Sequence, residues 1–141
     1  MEVPGLLAID HVGIAVSDLD AAIAFYRDVL GLVLAHTEVN EPQGVREAMM
    51  AIGDSGSSIQ LLAPLNPDST IAKFLAKNGP GIQQMAYRVA DIEVTCSALR
   101  SAGLRLIYET PKLGTNGSLI NFIHPKDTGG VLVELVQSGL A

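Results

Sequence analysis

Ile9-Asp10-His11-Val12-Gly13-Ile14-Ala15-Val16-Ser17-Asp18-Leu19-Asp20 and Ile82-Gln83-Gln84-Met85-Ala86-Tyr87-Arg88-Val89-Ala90-Asp91-Ile92-Glu93 follow one pattern. With Ile9 set against Ile82, Val16 meets Val89, Asp18 meets Asp91, Leu19 meets Ile92 and Asp20 meets Glu93. His11 then falls on Gln84. A second echo comes late in each half, where Ile59-Gln60-Leu61-Leu62 matches Val133-Glu134-Leu135-Val136 and Gln60 falls on Glu134. Repeats of this length point to duplication of one structural unit. Four side chains able to bind a metal, His11, Gln60, Gln84 and Glu134, thus occupy two positions in each half. If the halves pack about a pseudo-twofold axis, those four converge on one point.

Outward from these stretches, the chain reads as alternating elements. Residues 7–16 alternate as a strand, with Val12, Ile14 and Val16 on one face and His11, Gly13 and Ala15 on the other. Asp18 or Ser17 caps a helix whose apolar residues Leu19, Ile23, Tyr26 and Leu30 recur at helical spacing, and Gly31 ends it. Strands are expected near 32–39, 46–52 and 57–63, separated by turn-rich stretches at 40–44 and 53–56. A connector, 64–81, carries a short helix opened by Asp68-Ser69-Thr70 and closed by Asn78-Gly79-Pro80-Gly81. The order then repeats: a strand over 82–90, a helix over 91–102 ending at Gly103, and strands near 104–109, 118–124 and 130–137. Each half is therefore βαβββ, and the chain is expected to be one α+β domain of module 7–63, connector 64–81 and module 82–137. Four strands close poorly alone, but two such sheets can meet across a cavity.

The chain has 141 residues, 48% of them hydrophobic, which suits one domain with a sizeable core. A net charge of −6 argues against a general nucleic-acid binder, which needs a basic footprint. An anionic small ligand remains open, because Arg46, Lys73, Lys77, Lys112 and Lys126 suffice for a local cationic patch. The single cysteine, Cys96, cannot form an internal disulfide and reads as a small buried hydrophobe on a helix, compatible with a reducing cytoplasm. No early stretch pairs a basic start with an apolar run, so no signal peptide is expected. No uninterrupted apolar run approaches the ~20 residues needed to cross a bilayer, so no membrane partner is expected either.

The four matched side chains offer one nitrogen and three oxygens, if the amides bind through oxygen. Oxygen-rich sets suit magnesium, manganese and similar ions, with cobalt also compatible, whereas zinc prefers more His or Cys. A lone His in a strand is more often an ordinary core or surface residue, and a Gln or Glu among apolar residues usually faces solvent. The repeat is what raises the metal reading above that background. A second constellation is Gln43-Gly44-Val45-Arg46-Glu47-Ala48-Met49-Met50, in which Glu47 shares a strand face with Val45 and Met49. A carboxylate among apolar side chains has its charged form disfavoured, which raises its pKa towards a range useful for proton transfer. Taken alone, an exposed Glu on an edge strand is the plainer reading. A third is Pro111-Lys112-Leu113-Gly114-Thr115-Asn116-Gly117-Ser118, a polar loop with one cation that suits a phosphate or carboxylate. His124, without a counterpart in the first half, reads as structural.

Together, Ile9-Asp10-His11-Val12, Glu41-Pro42-Gln43-Gly44-Val45-Arg46-Glu47, Ala63-Pro64-Leu65, Ile120-Asn121-Phe122-Ile123-His124-Pro125-Lys126 and Gly130-Val131-Leu132-Val133-Glu134-Leu135 resemble the methylmalonyl-CoA epimerases of the vicinal oxygen chelate family. The resemblance runs along nearly the whole chain. It implies two βαβββ modules forming a cupped mixed sheet around one divalent metal, cobalt foremost and manganese, magnesium or zinc as alternatives. It carries metal ligands over to His11, Gln60 and Glu134, and sets Gln84 where the family pattern has His. It puts the catalytic base at Glu47, with Glu134 the leading candidate for the second base; Lys112 and Ser118 of the polar loop are the expected substrate-binding residues. The activity implied is interconversion of (R)- and (S)-methylmalonyl-CoA through an enolate, in a cytoplasmic homodimer whose partner is an acyl-CoA thioester.

Rival readings keep the fold and change the chemistry. A glyoxalase reaction is one. A dioxygenase would favour a two-His-one-carboxylate iron site, and the ligand positions hold a single His. A metal-free small-molecule-binding protein of the resistance type is favoured by Gln84 and opposed by Glu47, Gln60 and Glu134.

Overall fold

The computed structural model describes residues 5–139. The chain divides into two compact units: His11–Gln83, and the chain up to Asp10 together with the chain from Gln84 onward. Strand β1, Leu6–Ala15, passes from one unit into the other between Asp10 and His11, and β5, Gly81–Val89, does so between Gln83 and Gln84.

In the unit His11–Gln83, β1 is followed by α1 (Leu19–Ala24), β2 (Val33–Asn40), β3 (Val45–Ala51), β4 (Ser58–Pro64) and α2 (Thr70–Asn78). The strand order is β2-β3-β4-β1, with β1 and β4 parallel and the other pairs antiparallel. Asp18 caps α1 by accepting from the Ala21 N–H at 3.0 Å. The expected longer helix exists, but its second part, Phe25–Val29, is wound as a π-helix, with the Leu30 N–H reaching back to Phe25. Leu19 and Ile23 pack on Ala48, Met50, Leu61 and Ala63, one face of β3 and β4. The opposite face carries Ala15, Val45 and Leu62, covered at that end by Ile71 of α2. Ser69 caps α2 through the Ala72 N–H at 3.1 Å.

The other unit holds the rest of β5, α3 (Ile92–Ser101), β6 (Lys112–Leu113), β7 (Leu119–Ile123) and β8 (Val133–Gln137), in the order β5-β8-β7-β6. Again one pair, β5 and β8, is parallel and the others antiparallel. Asp91 caps α3 as Asp18 caps α1. Ile92, Cys96 and Leu99 pack on Val89, Ile123 and Leu135, while Ala86, Ile120, Val136 and Phe122 occupy the other face. Burial pushes the Cys96 thiol up in pKa, as befits an unreactive core cysteine. The beginning of β1 belongs here: Asp10 pairs with Arg88 at 2.8 Å, and the Gly5 carbonyl accepts from the Ala90 N–H. Each module is βαβββ, and the fold is α+β.

One expected strand is replaced. Residues 104–109 make only an isolated bridge between Leu106 and Ile123, and the short strand preceding β7 is Lys112–Leu113. Side chains serve this segment where a ladder would have done so. The Arg105 main-chain N–H and guanidinium bond Asp127, which holds that carboxyl down at about 2. Arg100 donates to the carbonyls of Tyr108 and Glu109, and Asn121 bonds both main-chain groups of Tyr108. Main-chain bonds remain only around the bridge, from the Ile107 N–H to the Phe122 carbonyl and from the His124 N–H to the Arg105 carbonyl, so a full ladder is not required.

Candidate functional site

In the unit His11–Gln83, strand alternation carries His11, Glu47 and Gln60 to the sheet face turned away from α1. Gly13 pairs with Gln60, which pairs in turn with Met49, and Glu47 pairs with Leu62. All three polar side chains are buried. Gln60 Nε2 donates to Glu47 Oε2 at 3.3 Å. The register of β2 against β3 sets Glu38 directly opposite Glu47 and His36 opposite Met49, and His36 lies 2.7 Å from Glu38. The face therefore carries two further polar groups that sequence reasoning passed over. Their signal was the spacing of two between His36 and Glu38 on an edge strand. Glu47 also borders a groove of about 470 Å³ lined by α1, β2 and β3, with Arg27 and Arg46 on its walls.

The other unit repeats the device with different residues. Gln84 Nε2 donates to Glu134 Oε1 at 2.8 Å, and both side chains are buried. Ala86 pairs with Glu134, and Glu134 with Phe122, so all lie on the face turned away from α3. Each unit thus presents one buried carboxylate bonded by a glutamine N–H. Committing the amide nitrogens to carboxylates leaves oxygen as the atom through which Gln60 and Gln84 can ligate a cation.

Among the described residues, no cluster of three or more His, Cys, Asp and Glu side chains is placed to hold an ion. One unit offers the His11 imidazole and the Gln60 amide oxygen, the other the Gln84 amide oxygen and the Glu134 carboxylate, donor types that fit a harder or intermediate divalent ion. Gln83 does not share the face of Gln84. Alternation along β5 turns Gln83 to the opposite face from Gln84, where its buried Oε1 has no hydrogen-bond partner.

Lys112 and Ser118 flank the β6–β7 hairpin. Lys112 is exposed and Ser118 buried. The turn is closed by the Gly114 N–H bonding the Ser118 carbonyl at 2.8 Å and the Ser118 N–H bonding the Thr115 carbonyl. His124 takes the structural part expected of it, its Nδ1 accepting from the Lys126 N–H at the start of a short 3-10 turn.

The description "Glyoxalase/Bleomycin resistance protein/Dioxygenase superfamily" matches residues 10–122. The chain belongs to that superfamily. Within it, a solved methylmalonyl-CoA epimerase of Mycobacterium tuberculosis is 56% identical, with a TM-score of 0.95 over 99% of this chain and 93% of that one. A variant of the Streptomyces coelicolor methylmalonyl-CoA epimerase, in complex with 2-nitronate-propionyl-CoA, is 48% identical, with a TM-score of 0.92 over 96% and 99%. An ethylmalonyl-CoA/methylmalonyl-CoA epimerase of Cereibacter sphaeroides is 40% identical over 92% of this chain and 96% of its own length.

Proposed function

We propose that this superfamily member is an epimerase interconverting (R)- and (S)-methylmalonyl-CoA through an enolate, with Glu47 and Glu134 as its proton-carrying groups. The observation that carries the reading is the pair of buried carboxylates, one in each unit, each bonded by a glutamine amide. The likeness to acyl-CoA epimerases supplies the substrate class. The substrate α-carbon lies between a thioester carbonyl and a carboxylate, so its C–H is acidic. Glu47 takes that proton, and the C–H electron pair moves onto the thioester oxygen. Glu134, starting as the acid, then delivers its own proton to the opposite face of the carbon and the pair returns to form the new C–H bond; this leaves Glu47 protonated and Glu134 ionised, the starting state for the reverse direction.

His11, Gln60, Gln84 and Glu134 are the residues we assign to a divalent ion, two from each module. When bound, such an ion supplies electrostatic stabilisation of the enolate oxygen. Cobalt is our assignment because one imidazole joins an otherwise oxygen set; manganese, magnesium and zinc are the other outcomes of a metal analysis. Lys112 and Ser118 are assigned to an anionic part of the substrate, Lys112 through its ammonium and Ser118 through the turn it closes. We place the activity in a homodimer, as the family resemblance implies, and in the cytoplasm, with which the single cysteine is compatible. Among the described residues no helix is long and apolar enough to cross a membrane.

A second reading, metal-free small-molecule binding, is favoured by Gln84 and tested by the same experiments. Metal analysis of protein purified without chelator comes first, then solvent-deuterium exchange into methylmalonyl-CoA. The expected result is bound metal and exchange at the α-carbon; neither metal nor exchange would favour the binding protein. Glu47→Gln keeps the shape of the side chain and removes the base. Epimerisation is expected to fall by roughly 10²–10⁴ with metal content unchanged, while one epimer still exchanges its proton through Glu134. Near-normal epimerisation by that variant would remove Glu47 from the mechanism.

A further inference from the structure

We propose that Tyr108 is a positioning residue for Lys112, holding its ammonium ready to receive an anionic oxygen of the substrate. The inference rests on the assignment of Lys112 to substrate binding and adds the device that orients it. The register gives the location. Lys112 pairs with Ile120 at the sheet edge, and Ile120 packs on one face with Ala86, Val136 and Phe122. Phe122 in turn pairs with Glu134. Lys112 therefore stands at the rim of the face that carries the Glu134–Gln84 pair.

Lys112 Nζ lies 4.5 Å from the centroid of the Tyr108 ring. That ring meets Phe122 edge-on, centroids 6.0 Å apart and planes at 77°. A ring face attracts the ammonium charge without consuming any of its N–H donors, so the three donors are left to an incoming anion. A lysine stem otherwise loses much rotamer freedom when its head is fixed. A cation already seated on a ring loses less on binding.

Tyr108 is itself fixed, although no strand contains it. Asn121, fully buried, donates from Nδ2 to the Tyr108 carbonyl at 2.9 Å and accepts at Oδ1 from the N–H groups of Tyr108 and Phe122 at 3.0 and 2.8 Å. Arg100 gives the same carbonyl a second bond. The hairpin bearing Lys112 is tight in its own right: a Cβ on Gly114 would stand 2.6 Å from a methyl of Ile120. An interior asparagine and a close-packed glycine thus hold an exposed cation over an aromatic ring.

The test compares KM and kcat of Lys112→Ala, Tyr108→Phe, Tyr108→Leu, Tyr108→Gln and the Lys112→Ala/Tyr108→Leu double variant. Each is measured on methylmalonyl-CoA and on a methylmalonyl-pantetheine thioester, which lacks the nucleotide phosphates. Lys112→Ala is expected to raise KM roughly tenfold, the scale of a hydrogen bond to a charged group, with a much smaller change in kcat. Tyr108→Leu and Tyr108→Gln should raise KM roughly two- to fivefold, Tyr108→Phe should restore it, and the double variant should be no worse than Lys112→Ala. Either non-aromatic variant suffices if the other does not fold. If the Lys112→Ala effect disappears on the pantetheine thioester, the anion is a CoA phosphate; if it persists, it is the acyl carboxylate. Both outcomes support the inference. An unchanged KM in Lys112→Ala on both substrates would end the substrate-binding assignment and the inference with it. A raised KM in Lys112→Ala with none in the non-aromatic Tyr108 variants, or additive effects in the double variant, would overturn the positioning role alone.

Discussion

At position 84 a neutral amide stands where the family resemblance sets an imidazole, and that amide is bonded to Glu134 at 2.8 Å. An amide oxygen is a weaker donor than imidazole towards later first-row ions and differs less towards magnesium. Gln84→His is therefore expected to tighten cobalt binding by roughly 10–100-fold, the scale on which changes around a metal act, with a smaller gain for magnesium. Titration of wild type and variant with each ion measures this; equal cobalt affinities would take Gln84 out of the ligand set. The duplication singled out the four proposed ligands: His11 and Gln84, and Gln60 and Glu134, stand at matched positions, and the structure buries all four. The face of Glu47 was legible from alternation with Val45 and Met49, but its burial was not: the plainer reading was an exposed Glu on an edge strand, and the structure buries it on β3, between β2 and β4. Tyr108 and Asn121 were not legible, since their roles come from a contact between a loop and a strand that no periodicity encodes. Asn121 did leave a trace, a lone amide inside the apolar run Ile120-Asn121-Phe122-Ile123.

Among the elements, β3 owes its placement to the turn before it. Gly44 has φ +68°, donates its N–H to the Glu41 carbonyl and accepts from the Leu65 N–H at 2.8 Å. A Cβ there would lie 2.9 Å from the Cβ of Ser69, the cap of α2. Gly44→Ala is thus strained in backbone and in contact. The left-handed conformation alone costs about 1–2 kcal/mol, which for a chain of this length corresponds to a fall in Tm of roughly 3–8 °C. Thermal unfolding checks this, and a Tm within a degree of wild type would contradict the turn geometry. Most elements could be read from the sequence because each carried its own signal: alternation in β1 and β5, an aspartate cap before α1 and before α3, and Gly79 after α2. The stretch 104–109 was misread because Leu104, Leu106 and Tyr108 alternate as a strand would. The deciding bonds come instead from Arg100, Asn121 and Asp127, whose approach depends on tertiary structure. The π-wound end of α1 keeps the spacing of an ordinary amphipathic helix at Leu19, Ile23 and Tyr26, so its winding was invisible to pattern.

At the scale of the molecule, the division between the units falls at equivalent points of the repeat, between Asp10 and His11 and between Gln83 and Gln84. The sequence had set the modules apart at a connector, yet that connector groups with the first module, and the opening of β1 groups with the second. The proposed ligands His11 and Gln84 are each the first residue after such a division. This arrangement makes the four-ligand proposal testable through stability. An ion held jointly by both modules stabilises the native chain by mass action, by about 2.7 kcal/mol at a free concentration one hundred times its Kd, or a rise in Tm of roughly 8–12 °C at this size. Cobalt should therefore raise Tm in the wild type. His11→Ala and Glu134→Gln, which alter different modules, should each abolish most of that rise, while removal of cobalt by a chelator should return wild type to its metal-free Tm. A rise that survives His11→Ala and disappears only with Glu134→Gln would place the ion within one module and refute joint ligation, whatever activity the loaded protein retained.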